Sequence, residues 1–403
     1  MGSVTFDGRT FSLDGRRIWL VGGEIDHATV PPGEWADRVH AAKLAGVNTI
    51  ATRVVWSMCE PRPGTFGFEG RTDVRGFVET VKAAGLMCVL RPGPFVGGSW
   101  DLGGIPTWLA QNEDVGLRSS SQGFLEACSR YISALAEQVK DLQATSTDGG
   151  PIVLIEHEHD WTCGEATIAG PYLRELARYF RESGLTAPAV NSNNLWHSEE
   201  GQIDGWVGET GLFSITRQLA AVRPDQPRLV VDLPVPRPPR LRGSETPAPL
   251  EPLALLRAAV ETAAAGGQFS LSAFVGSTPG AFWSGRDTQG IFAAGDDASA
   301  LVDSSGSPTP HYGPLRRVSR FLSTFGRSVL APATEAATIV PDPASAAESG
   351  AVSVVSTSGP QGGVAWVFAG KQKGTTPVVP LVMPNGSSIS VPIGEQGVAW
   401  CLL

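Results

Sequence analysis

Several things are scarce in this sequence, and each scarcity excludes something. Cysteine occurs 5 times in 403 residues, at scattered positions and with no CxxC pair. That rules against a disulfide framework or a structural zinc module and fits free thiols. No stretch approaches the roughly 18 consecutive apolar residues of a membrane span, so no membrane partner is expected. There is no basic run and no stripe of basic and aromatic residues, and the net charge is -9 with a pI of about 5.3. Nucleic acid is therefore not an expected partner. No basic segment followed by an apolar one opens the chain, so no secretory signal is visible and a cytoplasmic protein is the expectation. Neither GxGxxG nor GxxxxGK[ST] follows the first strand, and Gly22-Gly23-Glu24 is not a phosphate cradle. No cofactor is expected, and oligomeric state is not readable from the sequence.

What remains is an ordinary globular composition, 42% hydrophobic and 18% charged. Through the first 326 residues, short apolar runs alternate with helical patterns. Strands are expected at Ile18–Gly22, Thr49–Arg53, Met87–Arg91, Ile152–Glu156, Ala189–Asn191, Gly205–Gly208, Leu229–Asp232 and Leu271–Val275. Helices are expected at Glu34–Leu44, Asp73–Ala84, Gln122–Leu142, Tyr172–Glu182, Ile215–Val222 and Leu253–Ala265. Leu173, Leu176 and Phe180 make one apolar stripe, and several strands are continuously apolar, as when both faces are covered. Eight such units predict an α/β fold, a (β/α)8 TIM barrel over residues 1–326. Residues 327–350, rich in Ala, Pro and Ser, read as linker-like. Residues 351–403 hold short β-type runs broken by turns such as Pro384-Asn385-Gly386, which predicts a small antiparallel β domain packed on the barrel.

In a barrel, chemistry gathers at the carboxyl ends of the strands. There the sequence places Glu24, Asp26 and His27, then Arg53, Trp56 and Glu60, then Arg91 with Ser99 and Trp100 beyond it. The fourth strand ends in Glu156-His157-Glu158-His159-Asp160, the fifth in Asn191 and the seventh in Asp232. A carboxylate pair from strands 4 and 7 faces across the mouth, and glycoside hydrolysis needs such a pair: a protonated acid for the leaving oxygen and an ionised partner. Glu158 suits the acid if burial raises its pKa. The competing reading is a metal held by His157 and His159 as an HxH pair, which needs a third ligand that the sequence does not supply clearly. His159 and Asp160 read as loop residues behind the site. The tryptophans near strand ends (Trp56, Trp100, Trp161, Trp196, Trp206, Trp283) read equally as sugar platforms and as barrel packing.

The stretches FSLDGRRIWLVGGEIDHATVPPGEWADRVHAAKLAGVNTIATRVVWSMCEPRPGTFGFEG, VLRPGPFVGGSWDLGGIPTWLA, GGPIVLIEHEHD, FVGSTPGAFWSG and SSGSPTPHYGPLR together resemble glycoside hydrolase family 35, the β-galactosidases. The resemblance implies a barrel with a small β domain, no cofactor, and a sugar-containing small molecule as partner. In the family the fourth strand reads QVENEYG. Its second glutamate, the acid/base, falls on Glu158, and the asparagine before it on His157. The family nucleophile, a glutamate in a pattern like PMMCTEFW, falls on Asp232 within PRLVVDLP. The sugar-contacting positions are rewritten: a tyrosine becomes Arg53, and CAEW becomes Gly97-Gly98-Ser99-Trp100. An aromatic-rich loop becomes LPVPRPPRLRG.

This pattern implies a glycosidase for a substrate other than a simple β-galactoside. Glu158 and Asp232 are its catalytic candidates. His157, Arg53, Trp56, Ser99, Trp100, Asp26 and Asn191 are its substrate-binding candidates. A biosynthetic enzyme of another reaction class, acting on a sugar- or nucleoside-derived specialised metabolite, stays open on the same residues, as does a non-catalytic sugar-binding protein.

Overall fold

The computed structural model describes residues 2–112, 114–162, 166–241, 248–288, 290–335, 352–370, 378–382 and 387–403. Cys163, most of the linker-like passage (336–350) and the Asn385-Gly386 turn lie outside them.

Eight parallel strands close into a barrel: β1 Val21–Glu24, β2 Thr49–Arg53, β3 Met87–Gly93, β4 Ile152–His157, β5 Ala189–Asn191, β6 Gln202–Val207, β7 Leu229–Leu233 and β8 Gln268–Leu271. Each pairs with the next in chain order, and β8 closes on β1 through Phe269 opposite Val21. Around them run α1 Trp35–Leu44, α2 Val74–Ala83, α3 Gln122–Val139, α4 Ala166–Glu182, α5 Leu212–Val222, α6 Pro252–Ala264 and α7 Tyr312–Phe325.

Burial on both faces explains the apolar strands. Leu154, Val190, Leu229 and Val231 fill the barrel interior with Leu20. Ile155, Tyr172, Leu176 and Phe180 belong to the layer between sheet and helices. The expected stripe on α4 is buried along its length.

Several boundaries differ from the sequence expectation, and one helix was not expected. Arg16–Ile18 joins Val4–Phe6 and Phe11–Leu13 in a separate three-stranded sheet, and the first barrel strand begins at Val21. Side-chain amides set that start: Asn48 accepts from the Val21 N–H at 2.9 Å, and Gln268 accepts from the Leu20 N–H at 2.7 Å. The eighth strand ends at Leu271, four residues before Val275. Helix α7 was not expected; its mixed Arg and Ser content hides a stripe of buried Leu315, Val318, Ser319 and Leu322.

Beyond α7 one π-helical turn, Gly326–Leu330, buries Val329 and Leu330. A four-stranded antiparallel sheet follows, ordered Thr334–Glu335, Val352–Gly359, Gly362–Ala369, Val398–Leu402, with a hairpin of Val378–Val382 and Ser388–Pro392. This β unit packs on the barrel's helices. Trp366 and Trp400 lie 5.8 Å and 5.9 Å from the Phe321 ring of α7, and Arg257 of α6 donates to the Ala369 carbonyl at 3.0 Å. No helix among the described residues is long and apolar enough to cross a membrane.

Candidate active site

The carboxyl ends of the strands carry a buried charge network centred on Arg91 of β3. Its guanidinium meets Glu24 of β1 in a short ion pair, Asp232 of β7 at 2.8 Å and Glu156 of β4 at 2.8 Å. It also donates to the Val231 carbonyl at 2.8 Å. Arg53 of β2 pairs with the other Glu24 oxygen at 3.0 Å. His159, just past β4, offers Nδ1 to Glu156 at 2.6 Å, and its Nε2 lies 3.6 Å from Asp232 Oδ2. Three carboxylates (Glu24, Glu156, Asp232) thus face three cationic groups (Arg53, Arg91, His159), which is how so many charges are held away from water. The pairing pushes the His159 imidazole up to about 9, with Asp160, Glu156 and Asp232 outweighing burial. Burial would raise Asp232, but Arg91, His159 and Arg53 outweigh it and hold its carboxyl below the ordinary value. Ser272 also donates to Asp232 Oδ1 at 2.5 Å, whereas Oδ2 has no hydrogen-bond partner.

Above this network, Glu24, Asp26, Arg53 and Ser99 share a small pocket with Ser277 and Asp297. Asp26 accepts from the indole N–H of Trp100 at 2.8 Å. Pro236 and Pro238, from the loop after β7, roof the pocket. That loop is tied down through Arg237, whose backbone N–H reaches Asp297 and whose guanidinium donates to Glu209 at 2.8 Å. A further tie runs from the Ala293 N–H to the Pro239 carbonyl at 2.8 Å.

Glu158 sits elsewhere. Its backbone takes a left-handed conformation, φ 59°, as does Asp160 at 47°, an arrangement that costs a non-glycine residue about 1–2 kcal/mol. The carboxyl accepts from Arg118 Nε at 2.5 Å, Tyr172 of α4 at 3.0 Å and the Phe95 N–H at 3.4 Å. It is fully buried, and burial pushes it up from its ordinary value against the pull of Arg118 and Tyr172. Arg118 also lies over the Phe95 ring at 3.9 Å and donates to the carbonyls of His159 and Asp160. Among the described residues, Glu158 and Asp232 share no hydrogen-bond partner.

The structure therefore gathers some of the candidates and separates others. Asp26, Arg53 and Ser99 line one pocket, Trp100 backs it through Asp26, and Asp232 joins it through Arg91 and Glu24. His157 stacks on Phe180 of α4 at 4.3 Å, with Nδ1 3.2 Å from Gln202. Trp56 stacks on Tyr131 at 4.8 Å inside the helix layer and donates to Glu60 at 2.6 Å. Asn191, fully buried, bonds Asp204 at 2.9 Å. His157 and His159 thus face different surroundings and do not form an HxH pair. Sequence reasoning overlooked the roles of Glu156, His159, Arg118, Ser272 and Asp297. Strand alternation is the signal that could have placed Glu156 inward, but nothing local marks the turn that brings His159 back toward the mouth.

A closed eight-stranded parallel barrel with helices around it defines the class: a (β/α)8 barrel protein, with its candidate site at the strand ends. Solved structures of that fold align over most of the chain. The endo-beta-1,4-mannanase from Thermotoga petrophila matches with a TM-score of 0.57 and 11% identity, covering 97% of this chain and 92% of that one. A glycoside hydrolase family 5 protein from Bacteroides vulgatus gives 0.56 and 12%, covering 91% and 80%. Within this class the family is narrower: residues 10–322 match Glycosyl hydrolases family 35, and the chain belongs to it. Among curated relatives, Beta-galactosidase-1-like protein 2 of Homo sapiens is 32% identical over 231 residues, 56% of this chain and 36% of that protein. Beta-galactosidase of Xanthomonas manihotis is 32% identical over 229 residues, 55% and 38% respectively. The matched region thus spans little more than a third of those relatives' lengths.

Proposed function

We propose that this protein is a glycosidase-like hydrolase acting on a glycoside other than a simple β-galactoside, with Asp232 and Glu158 as its carboxylate pair. The observation that carries the reading is the opposite displacement of the two groups. Asp232 is held below the ordinary carboxylate range by Arg91, His159 and Arg53 against burial, while burial raises Glu158. Environments that push two carboxyls apart in this way assign one as ionised partner and the other as proton donor. Family membership supports the reaction class. Arg53 committed to Glu24 and the proline roof over the pocket support a changed substrate.

In this reading Glu158 exchanges Arg118 and Tyr172 for the leaving oxygen when substrate enters. Aspartate at position 232 sets its carboxyl back by about 1.5 Å relative to glutamate. That moves the pair toward the wider separation, roughly 6.5–9.5 Å, that admits a water and inverts the anomeric centre.

The test is a panel of aryl glycosides of both anomers assayed with the wild type, Glu158→Gln and Asp232→Asn, with product anomer read by NMR. Turnover of a non-galactoside that falls at least 100-fold in both variants is expected. Hydrolysis that survives both substitutions, or fast hydrolysis of a plain β-galactoside, refutes the proposal.

A further inference from the structure

We infer that the short segment Val235–Pro238 is a flap closed over the barrel mouth, latched by Arg237 on Glu209 and Asp297, and that a substrate enters only when this latch releases. What enters rests on the sugar-site reading above; the gating rests on the geometry of the roof.

The cavity that Glu24, Asp26, Arg53 and Ser99 line measures about 20 Å³. Roughly 10–15 Å³ holds one water, whereas small-molecule sites run from roughly 300 Å³ upward. A sugar ring therefore has no place at the mouth while the roof is down. Pro236 and Pro238 belong to that roof, and Ser277, Thr278 and Pro279 of the loop after β8 complete the enclosure.

These two parts are held differently. The loop after β8 is knitted to its neighbours by backbone bonds, from the Gly276 N–H to Val302 at 2.8 Å, from Asp297 to the Gly276 carbonyl at 2.7 Å and from Thr278 to Gly295 at 2.9 Å. Val235–Pro238 has two prolines among four residues, so it carries two backbone N–H groups. Both go to carboxylates, Val235 to Glu209 at 3.2 Å and Arg237 to Asp297. The Arg237 guanidinium adds a fork onto both oxygens of Glu209, one arm at 2.8 Å and the other shorter. The flap's one other backbone bond, from the Ala298 N–H to the Arg237 carbonyl, is long at 3.4 Å. Its ends are anchored more firmly. Leu233 is wholly buried on β7, and beyond the flap the Pro239 carbonyl accepts from Ala293 at 2.8 Å and the Leu241 N–H reaches Ile291 at 2.9 Å.

Glu209 thus collects three of the flap's bonds. It and Arg237 are each 18% exposed, so water and salt reach the pair. Losing one fork frees the roof without unpacking the barrel. Its return excludes water from the charge network below, where pairing is strongest when dry.

The experiment reads opening without turnover. Ser272 is wholly buried and donates to Asp232 at 2.5 Å, so Ser272→Cys places a thiol under the roof. Its alkylation by iodoacetamide is followed by peptide mass spectrometry. Ser277→Cys, on the cavity wall, is the second reporter should the first fold poorly. Added Glu209→Gln or Arg237→Gln is expected to speed alkylation about fivefold or more, as loss of a partly exposed ion pair would. Sodium chloride at about 0.5 M should speed the latched protein in the same direction. Low urea should leave these rates unchanged, since the opening is local. Rates within twofold of the latched protein in both latch variants overturn the inference. So does alkylation that rises with urea as global unfolding does, or alkylation of the latched protein as fast as of the unfolded chain. Gated alkylation in a protein that hydrolyses no glycoside keeps the flap and defeats the proposed reaction; hydrolysis with alkylation indifferent to the latch does the reverse.

Discussion

Replacing Arg91 with methionine removes the cation that Glu24, Glu156 and Asp232 share. All three carboxyls are almost wholly buried, with side chains 1% exposed, so water cannot take over the role. Arg53 and His159 remain, leaving three carboxylates against two cations. The network's cheapest escape is to protonate one carboxyl. Glu24 is the natural choice because burial already pushes it up from 4.5. Protonating a carboxyl of ordinary pKa 4.5 at neutral pH means working across about 2.5 pH units at about 1.4 kcal/mol each, roughly 3.5 kcal/mol. That agrees with the roughly 3–5 kcal/mol seen when one partner of a buried pair is removed. Arg91→Met is therefore expected to lose about 3–5 kcal/mol at pH 7 in urea denaturation. The deficit relative to wild type should shrink by about 2–3 kcal/mol at pH 5, where the proton is nearly free. A loss below about 1 kcal/mol, or an equal loss at both pH values, refutes the reasoning.

Buried histidines make stability peak near pH 6.5. His27 and His157 are pushed down to about 3 by burial, so the unfolded chain takes up their protons first and stability falls as pH drops below 6.5. His159, raised to about 9, contributes stability that is complete below 6.5 and lost as pH rises toward 9. Each group changes stability by at most about 1.4 kcal/mol per pH unit. Thermal scans should show His157→Phe flattening the acid side and His159→Gln the alkaline side, and unchanged slopes would contradict this. Activity should need Asp232 ionised and Glu158 protonated. That gives an acid limb below 3.8 and an alkaline limb above 4.5, with Arg118→Gln moving the alkaline limb upward as its opposing charge is lost. At Gly205 a Cβ would lie 2.5 Å from the Asn191 carbonyl oxygen and 2.6 Å from the Val231 side chain. Gly205→Ala should cost about 1–3 kcal/mol, a cost that a melting curve superimposable on wild type would disprove.

The barrel was legible in the sequence because its signals are local. Continuous apolar runs such as Ile152–Ile155 imply burial on both faces. The stripe of Leu173, Leu176 and Phe180 implies one helix face on a sheet, and polar residues mark where each strand leaves the core. The same logic placed Asp26, Arg53, Ser99 and Asp232 at the rim. For the five ionisable residues from Glu156 to Asp160 it put Glu158 and His157 at the mouth and His159 and Asp160 behind it, and the fold exchanges the two histidines. Inward-outward alternation holds through His157, which turns out onto Phe180. It then breaks at the left-handed residues Glu158 and Asp160, which send Glu158 to Arg118 and Tyr172 and bring His159 back beside Asp232. Those choices belong to partners distant in sequence. A buried charge settles wherever an opposite charge and a donor already wait, and chain neighbours alone do not reveal where that is.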